Sequence, residues 1–147
     1  MLVYTILASA GAVGFLCATL YRAITAKPAP KSTENTVPKG SWIAPAVLSS
    51  AFFVYSVYTI SEEGFTGFWI DHTRNFWGIQ IWFDLLLGIG TGFYFLVPKA
   101  KTVDMYIPFW YIAVPATGCI GLCAMTSRCL YLWESLDISS NETKPLE

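Results

Sequence analysis

Four stretches of this chain, at about residues 2–25, 42–60, 76–97 and 105–128, are long, apolar and nearly free of charge. A helix needs about 20 apolar residues, within roughly 17 to 25, to cross a bilayer, and each stretch falls in or near that window. A helix that packs in water keeps a polar face along its length, which these stretches lack. Only 13% of the chain is charged and 54% is hydrophobic, against about 25% charged in a typical soluble domain. The fold expected is all-α: a polytopic membrane protein with four transmembrane helices in one antiparallel bundle over residues 1–134, followed by a polar tail at 135–147. The first run has no basic leader and is longer than a signal-peptide core, so it reads as a retained first span.

Charge places the connections. Lys27, Lys31 and Lys39 fall in the linker 27–41, with Arg22 at its edge, and Lys99 and Lys101 fall in the turn 98–104. The segment between spans two and three carries Glu62, Glu63 and Asp71 against Arg74, and the tail carries Glu134, Asp137, Glu142 and Glu147 against Lys144. Basic residues mark the cytoplasmic side or its equivalent, which puts 27–41 and 98–104 there and both termini opposite. The tryptophans fit two headgroup belts: Trp42 and Trp110 near one level, Trp69, Trp77 and Trp133 near the other. Pro28, Pro30 and Pro38 oppose helix in the linker. Residues 61–75, aromatic and punctuated by Gly64 and Gly67, read as a short interfacial helix or re-entrant turn. Within that segment His72 has Asp71, Arg74 and Asn75 as neighbours; a solvated surface histidine and a headgroup-binding or acid–base residue both fit. Pro45 and Pro108 fall near helix starts, where proline is tolerated, whereas Pro115 should bend the fourth span. Asn141-Glu142-Thr143 forms a glycosylation triplet.

The third span carries the pattern with most chemical content. Gln80, Asp84, Gly88 and Gly92 recur every fourth residue and so share one face, with Thr91 beside them. Gly88 and Gly92 form a small-xxx-small pair that lets another helix approach closely. Gly118 and Gly121 on the fourth span, and Gly11 and Gly14 on the first, offer similar surfaces. Packing within the chain and docking onto another subunit both fit these glycines. Asp84 lies about 12 Å along the helix from Phe76, at 1.5 Å per residue. A charge at the bilayer centre costs at least about 2.5–3.5 kcal/mol, so the acid either keeps its proton or has a partner. Gln80 and Arg128 are the partners considered, with hydroxyls from Tyr55, Ser56 and Thr59. An internal clasp that fixes helix register competes here with a ligand, pigment or proton site.

Other chemistries find little footing. The cysteines Cys17, Cys119, Cys123 and Cys129 form no CxxC and lie far in sequence from the lone His72, so neither zinc nor any other metal is expected; they read as packing residues. No basic patch interleaved with aromatics points to nucleic acid. No nucleophile elbow, P-loop or dinucleotide fingerprint occurs. No cofactor is evident, although a bound lipid or pigment would fit such a bundle.

Residues 64–134 carry a recurring arrangement: Gly64, Phe65, Phe68 and Trp69, then Asn75, then Ile81-Trp82-Phe83-Asp84-Leu85-Leu86, a basic turn Pro98-Lys99-Ala100-Lys101, and Leu130-Tyr131-Leu132-Trp133-Glu134. In this the chain resembles a family of small, uncharacterised four-span membrane proteins known mainly as a domain of unknown function. The resemblance implies a four-helix fold and no catalytic residue. Two functions fit the sequence. One is a non-catalytic accessory, assembly or scaffold subunit of a membrane complex, such as an energy-converting one, whose partners are the lipid bilayer and other membrane subunits. The other is a small-molecule or proton binding or transport protein with its site around Asp84, Gln80 and Arg128 inside the bundle.

Overall fold

The computed structural model describes residues 2–30 and 37–142, with side chains as far as Leu136. The glycosylation triplet, Lys31 and the end of the tail lie outside the described residues or side chains. Among the described residues every regular element is helical: α1 (Leu2–Thr25), α2 (Ile43–Glu63), α3 (Gly67–His72), α4 (Phe76–Thr102), α5 (Ile107–Thr117) and α6 (Cys119–Glu142). Three of these, α1, α2 and α4, are long and apolar enough to cross a membrane.

The ends of the helices follow local chemistry. Helix α1 stops before Lys27-Pro28, because proline offers no N–H and disfavours helical backbone in the residue before it. Its unpaired C-terminal carbonyls are taken up by Lys101, whose Nζ donates to Ala26 O at 2.8 Å and Ile24 O at 3.5 Å, a cation set at the negative end of a helix dipole. Helix α2 ends at Gly64, whose φ of +80° is open to glycine at little cost. Asn75 caps α4 by accepting from the Gly78 N–H at 2.8 Å. Between the second and third of the expected spans the chain forms the short helix α3. It is held on α4 by Trp82, whose ring meets those of Trp69 (5.9 Å) and His72 (5.6 Å). Gly78 permits the approach, since a Cβ there would fall 2.5 Å from the Asp71 carbonyl.

Helix α4 runs through Pro98, which the sequence places in a turn. Proline at position i leaves the carbonyl at i−4 without its donor. Here that carbonyl is Tyr94 O, and Arg22 Nε donates to it at 3.1 Å. A distant side chain thus replaces the missing bond, and the helix continues to Thr102.

The register of side-chain contacts fixes the helix directions. Tyr4 meets Phe76, Trp82 Nε1 donates to Ala8 O, and Arg22 reaches Tyr94, so α1 and α4 run parallel. Ser49 Oγ donates to Ile120 O and Ser127 Oγ to Trp42 O, so α2 and α6 run antiparallel. Ile89 lies against Gly118 and Leu122 against Gly92, so α6 runs parallel to α4.

The stretch expected to form a fourth span is not one continuous helix. It is divided at Gly118, with φ +62°, into α5 and α6. A Cβ at Gly121 would lie 2.8 Å from the Ala113 carbonyl, whereas eight residues of straight helix would span about 12 Å. The chain has reversed. Helix α5 climbs about 16 Å from the Lys101 end, turns at the level of Ile89, and α6 returns beside α4. The bend falls at Gly118 rather than at Pro115, and Thr117 Oγ1 donates to Ala113 O at 2.7 Å, not to the carbonyl of Tyr111 that Pro115 frees. Helix α6 continues past Glu134 to Glu142, so the first part of the polar tail is helical. Glu134 accepts from the Gly40 N–H at 3.0 Å, which ties the end of α6 to the start of α2.

The core follows from this arrangement. Phe93, Val97, Val114 and Met125 are fully buried where α4, α5 and α6 meet, with Ala100, Met105 and Cys129 around them. It occupies the end of the molecule that carries Lys27, Lys39, Lys99 and Lys101, here the basic end. The opposite, acidic end holds Glu62, Glu63 and Asp71. There α2 extends past the tip of the α5–α6 hairpin, and Phe53, Val54, Tyr58 and Ile60 are exposed.

Candidate functional site

Helix α4 has two unlike faces. Ile79, Leu86, Ile89, Phe93 and Val97 point into the molecule. Gln80, Asp84, Gly88 and Thr91 all lie exposed on the opposite side, between the bulky exposed side chains of Trp77, Ile81, Leu87 and Phe95. The fourfold spacing that groups Gln80, Asp84 and Gly88 in sequence thus groups them in space, with Thr91 beside them, and the face they form is directed away from the other described residues. Asp84 has no hydrogen bond or ion pair among the described residues. It stands about 10 Å along the helix from Trp77, seven residues at 1.5 Å each.

The partners considered for Asp84 are elsewhere. Gln80 is one turn away on the same stripe. Arg128 lies near the basic end, with its guanidinium 5.7 Å from the Tyr131 ring centre. Because Leu122 is level with Gly92, Arg128 and Asp84 are separated by about 21 Å along parallel axes, fourteen residues of rise. Tyr55, Ser56 and Thr59 belong to α2, whose extended contact is with α6; Thr59 donates to Tyr55 O of its own helix.

The glycines divide by a similar test. A Cβ at Gly92 would fall 2.6 Å from Leu122 Cδ2, one at Gly11 2.7 Å from Phe83, and Gly121 lies against the backbone of α5. With Gly118 at the hairpin turn, these four serve packing within the chain. Gly88 and Gly14 have nothing within 4 Å of the Cβ position. The Gly88–Gly92 pair is therefore split, because four residues advance a helix by about 400°, and the extra 40° turns Gly92 toward α6 while Gly88 faces out.

The remaining residues take the following places. Trp42 packs edge-on against Tyr131 at 5.6 Å, so Trp133, nearby on α6, lies at the Trp42 end and not with Trp69 and Trp77. Trp110 is half-buried beside the core. His72 is half-buried under Trp82, and its Nδ1 meets Phe68 O. All four cysteines are free thiols, and among the described residues no group of three His, Cys, Asp or Glu side chains is placed to hold a metal.

Sequence reasoning missed Arg22 as a structural residue. The available signal was Pro98 directly after the third candidate span: if the helix runs on through it, the carbonyl four residues back needs another donor. Comparison with family models, curated proteins and solved structures gives no match, so the likeness of residues 64–134 to small four-span proteins stands as an expectation.

Proposed function

We propose that this chain is a non-catalytic subunit of a membrane protein complex, docked through the outward face of α4. One observation carries the reading: Asp84 and Gln80 sit on a face that no other described residue covers, beside Gly88, whose missing side chain opens room for a second backbone. In hydrocarbon an uncovered carboxyl is costly, and a neighbouring helix that donates to it removes the cost. Close approach at a small residue and hydrogen bonds between helices are the main forces that join helices in lipid.

In this reading α1, α2 and α4 cross the bilayer, and the α5–α6 hairpin enters from the basic end and returns to it. Lys27, Lys39, Lys99 and Lys101 then mark the cytoplasmic or equivalent side. The end of α6 joins them there, in place of the outward tail that four full spans would give. Irregular backbone at membrane depth is tolerated where protein surrounds it, and the Gly118 turn lies against Ile89.

The alternative, a small-molecule or proton site inside the bundle, draws support from the intramembrane acid alone, since Arg128 lies at the other end of the molecule. A Gly88→Leu variant separates the two. No atom lies near the new Cβ, so the isolated chain should fold and melt as the parent does, while the native complex, resolved on native gels in mild detergent, should dissociate. Full retention of the complex by this variant would defeat the docking proposal.

A further inference from the structure

A groove of about 570 Å³ runs between α1 and α4 on the side flanking the Asp84 stripe. It is lined by the small residues Gly14 and Ala18 and by Phe15, Phe83 and Phe95, with the Phe15 ring set against Gly90. It extends from Gly11 to Arg22, about 16 Å at 1.5 Å per residue, close to the roughly 15 Å depth of one leaflet's hydrocarbon. The volume lies within the range of small-ligand sites, which are mostly apolar with a few fixed polar groups.

The polar group is Arg22, at the basic end of the groove. Its guanidinium lies 3.9 Å from the centre of the Tyr94 ring, and its Nε is held by Tyr94 O. Those two contacts fix the plane of the group and leave both terminal nitrogens without an acceptor among the described residues. Arginine keeps its charge at any physiological pH and presents its donors as a fork suited to phosphate. Lys101 stands nearby on the end of α1, and Lys27 follows it in the chain, so the mouth of the groove is positive.

We propose that this groove binds one anionic phospholipid from the leaflet at the basic end, with an acyl chain against Gly14 and Ala18 and the phosphate on Arg22. Length, apolar lining and terminal charge match a lipid chain and its headgroup together. Basic pockets between helices on the cytoplasmic or matrix side recognise anionic headgroups by the same electrostatics. Nothing in the assignment depends on the docking face of α4.

Native mass spectrometry of the full chain in mild detergent, titrated with phosphatidylglycerol or phosphatidylcholine, tests the proposal. One phosphatidylglycerol should bind per chain, at least tenfold more tightly than phosphatidylcholine. Arg22→Gln keeps an N–H for Tyr94 O and removes the charge, so the preference should fall to about twofold or less. Gly14→Leu fills the groove where no atom now stands and should weaken both lipids with an unchanged melting temperature. Equal binding of the two lipids by the parent chain, or an undiminished preference in Arg22→Gln, would overturn the assignment. If Arg22→Gln unfolds, Gly14→Leu decides the matter alone: undisturbed lipid binding in that variant refutes the site.

Discussion

Replacing Asp84 by leucine should separate what the carboxyl does for its own chain from what it does for an assembly. The side chain lies exposed on α4, with no partner among the described residues. On insertion scales an aspartate at the centre of a span costs about 2.5–3.5 kcal/mol, whereas leucine contributes about −0.3 to −0.6 kcal/mol. Asp84 stands about 10 Å inside Trp77, off centre in a core of about 30 Å, so the gain from Asp84→Leu stays below the roughly 4 kcal/mol that those values allow at the centre. The isolated chain in detergent should therefore melt at the parent's temperature or above it. The assembled complex should respond in the opposite sense. A hydrogen bond between helices in lipid is worth about 0.6–2 kcal/mol, and 1.4 kcal/mol is a tenfold change, so association should weaken about 3- to 30-fold. Asp84→Asn keeps an acceptor and adds donors, and should weaken it by less than about threefold at that rate. Thermal melts followed by circular dichroism and retention of the complex on native gels provide the two readings. A lower melting temperature for isolated Asp84→Leu would mean that the acid clasps its own chain, and unaltered association would mean that α4 docks elsewhere or not at all.

Three further outcomes follow from the geometry. A reporter after residue 147 and a cysteine introduced at position 39 should be accessible from the same side of sealed vesicles, and a cysteine at position 63 from the other; a reporter on the side of position 63 would restore four full spans. Gly121→Leu places carbon against the Ala113 carbonyl and Val114 Cα, both backbone, and overpacking of that kind costs about 1–3 kcal/mol or more, visible as a clearly lowered melting temperature. Asn75→Ala removes the acceptor for the Gly78 N–H and should cost about 1 kcal/mol, with the largest loss of hydrogen-exchange protection in the first turn of α4.

Helix positions were legible in the sequence wherever length and composition decide them. The runs at 2–25, 42–60 and 76–97 each contain a long apolar helix, and the Gly- and aromatic-rich segment between the second and third contains α3. Of the stripe Gln80, Asp84, Gly88 and Gly92, with Thr91 beside it, the first three and Thr91 were legible as one face from helical periodicity, whereas Gly92 turns to α6. Which way the stripe faces was not legible, because both faces of an α-helix in lipid can be apolar, and only contacts with α1 and α6 show which one is covered. The hairpin at Gly118 was hidden for a related reason. Residues 105–128 have enough apolar length for one span, and Pro115 offered a plausible bend, but the positive φ that reverses the chain depends on Gly121 and Leu122 finding α5 and Gly92. Pro98 misled in the opposite sense: its local effect is to end a helix, and an arginine 76 residues earlier in the chain cancels it.

The turn at Gly118 stops halfway up the molecule, and this gives the body a taper. A cut through the basic end meets α1, α2, α4, α5 and α6, while a cut nearer the acidic end meets α1, α2 and α4 below the small cap of α3. Embedded in a bilayer, a solid of that outline displaces more lipid from one monolayer than from the other. Neighbouring lipids, or a protein wedge of the inverse outline, must make up the difference in lateral area.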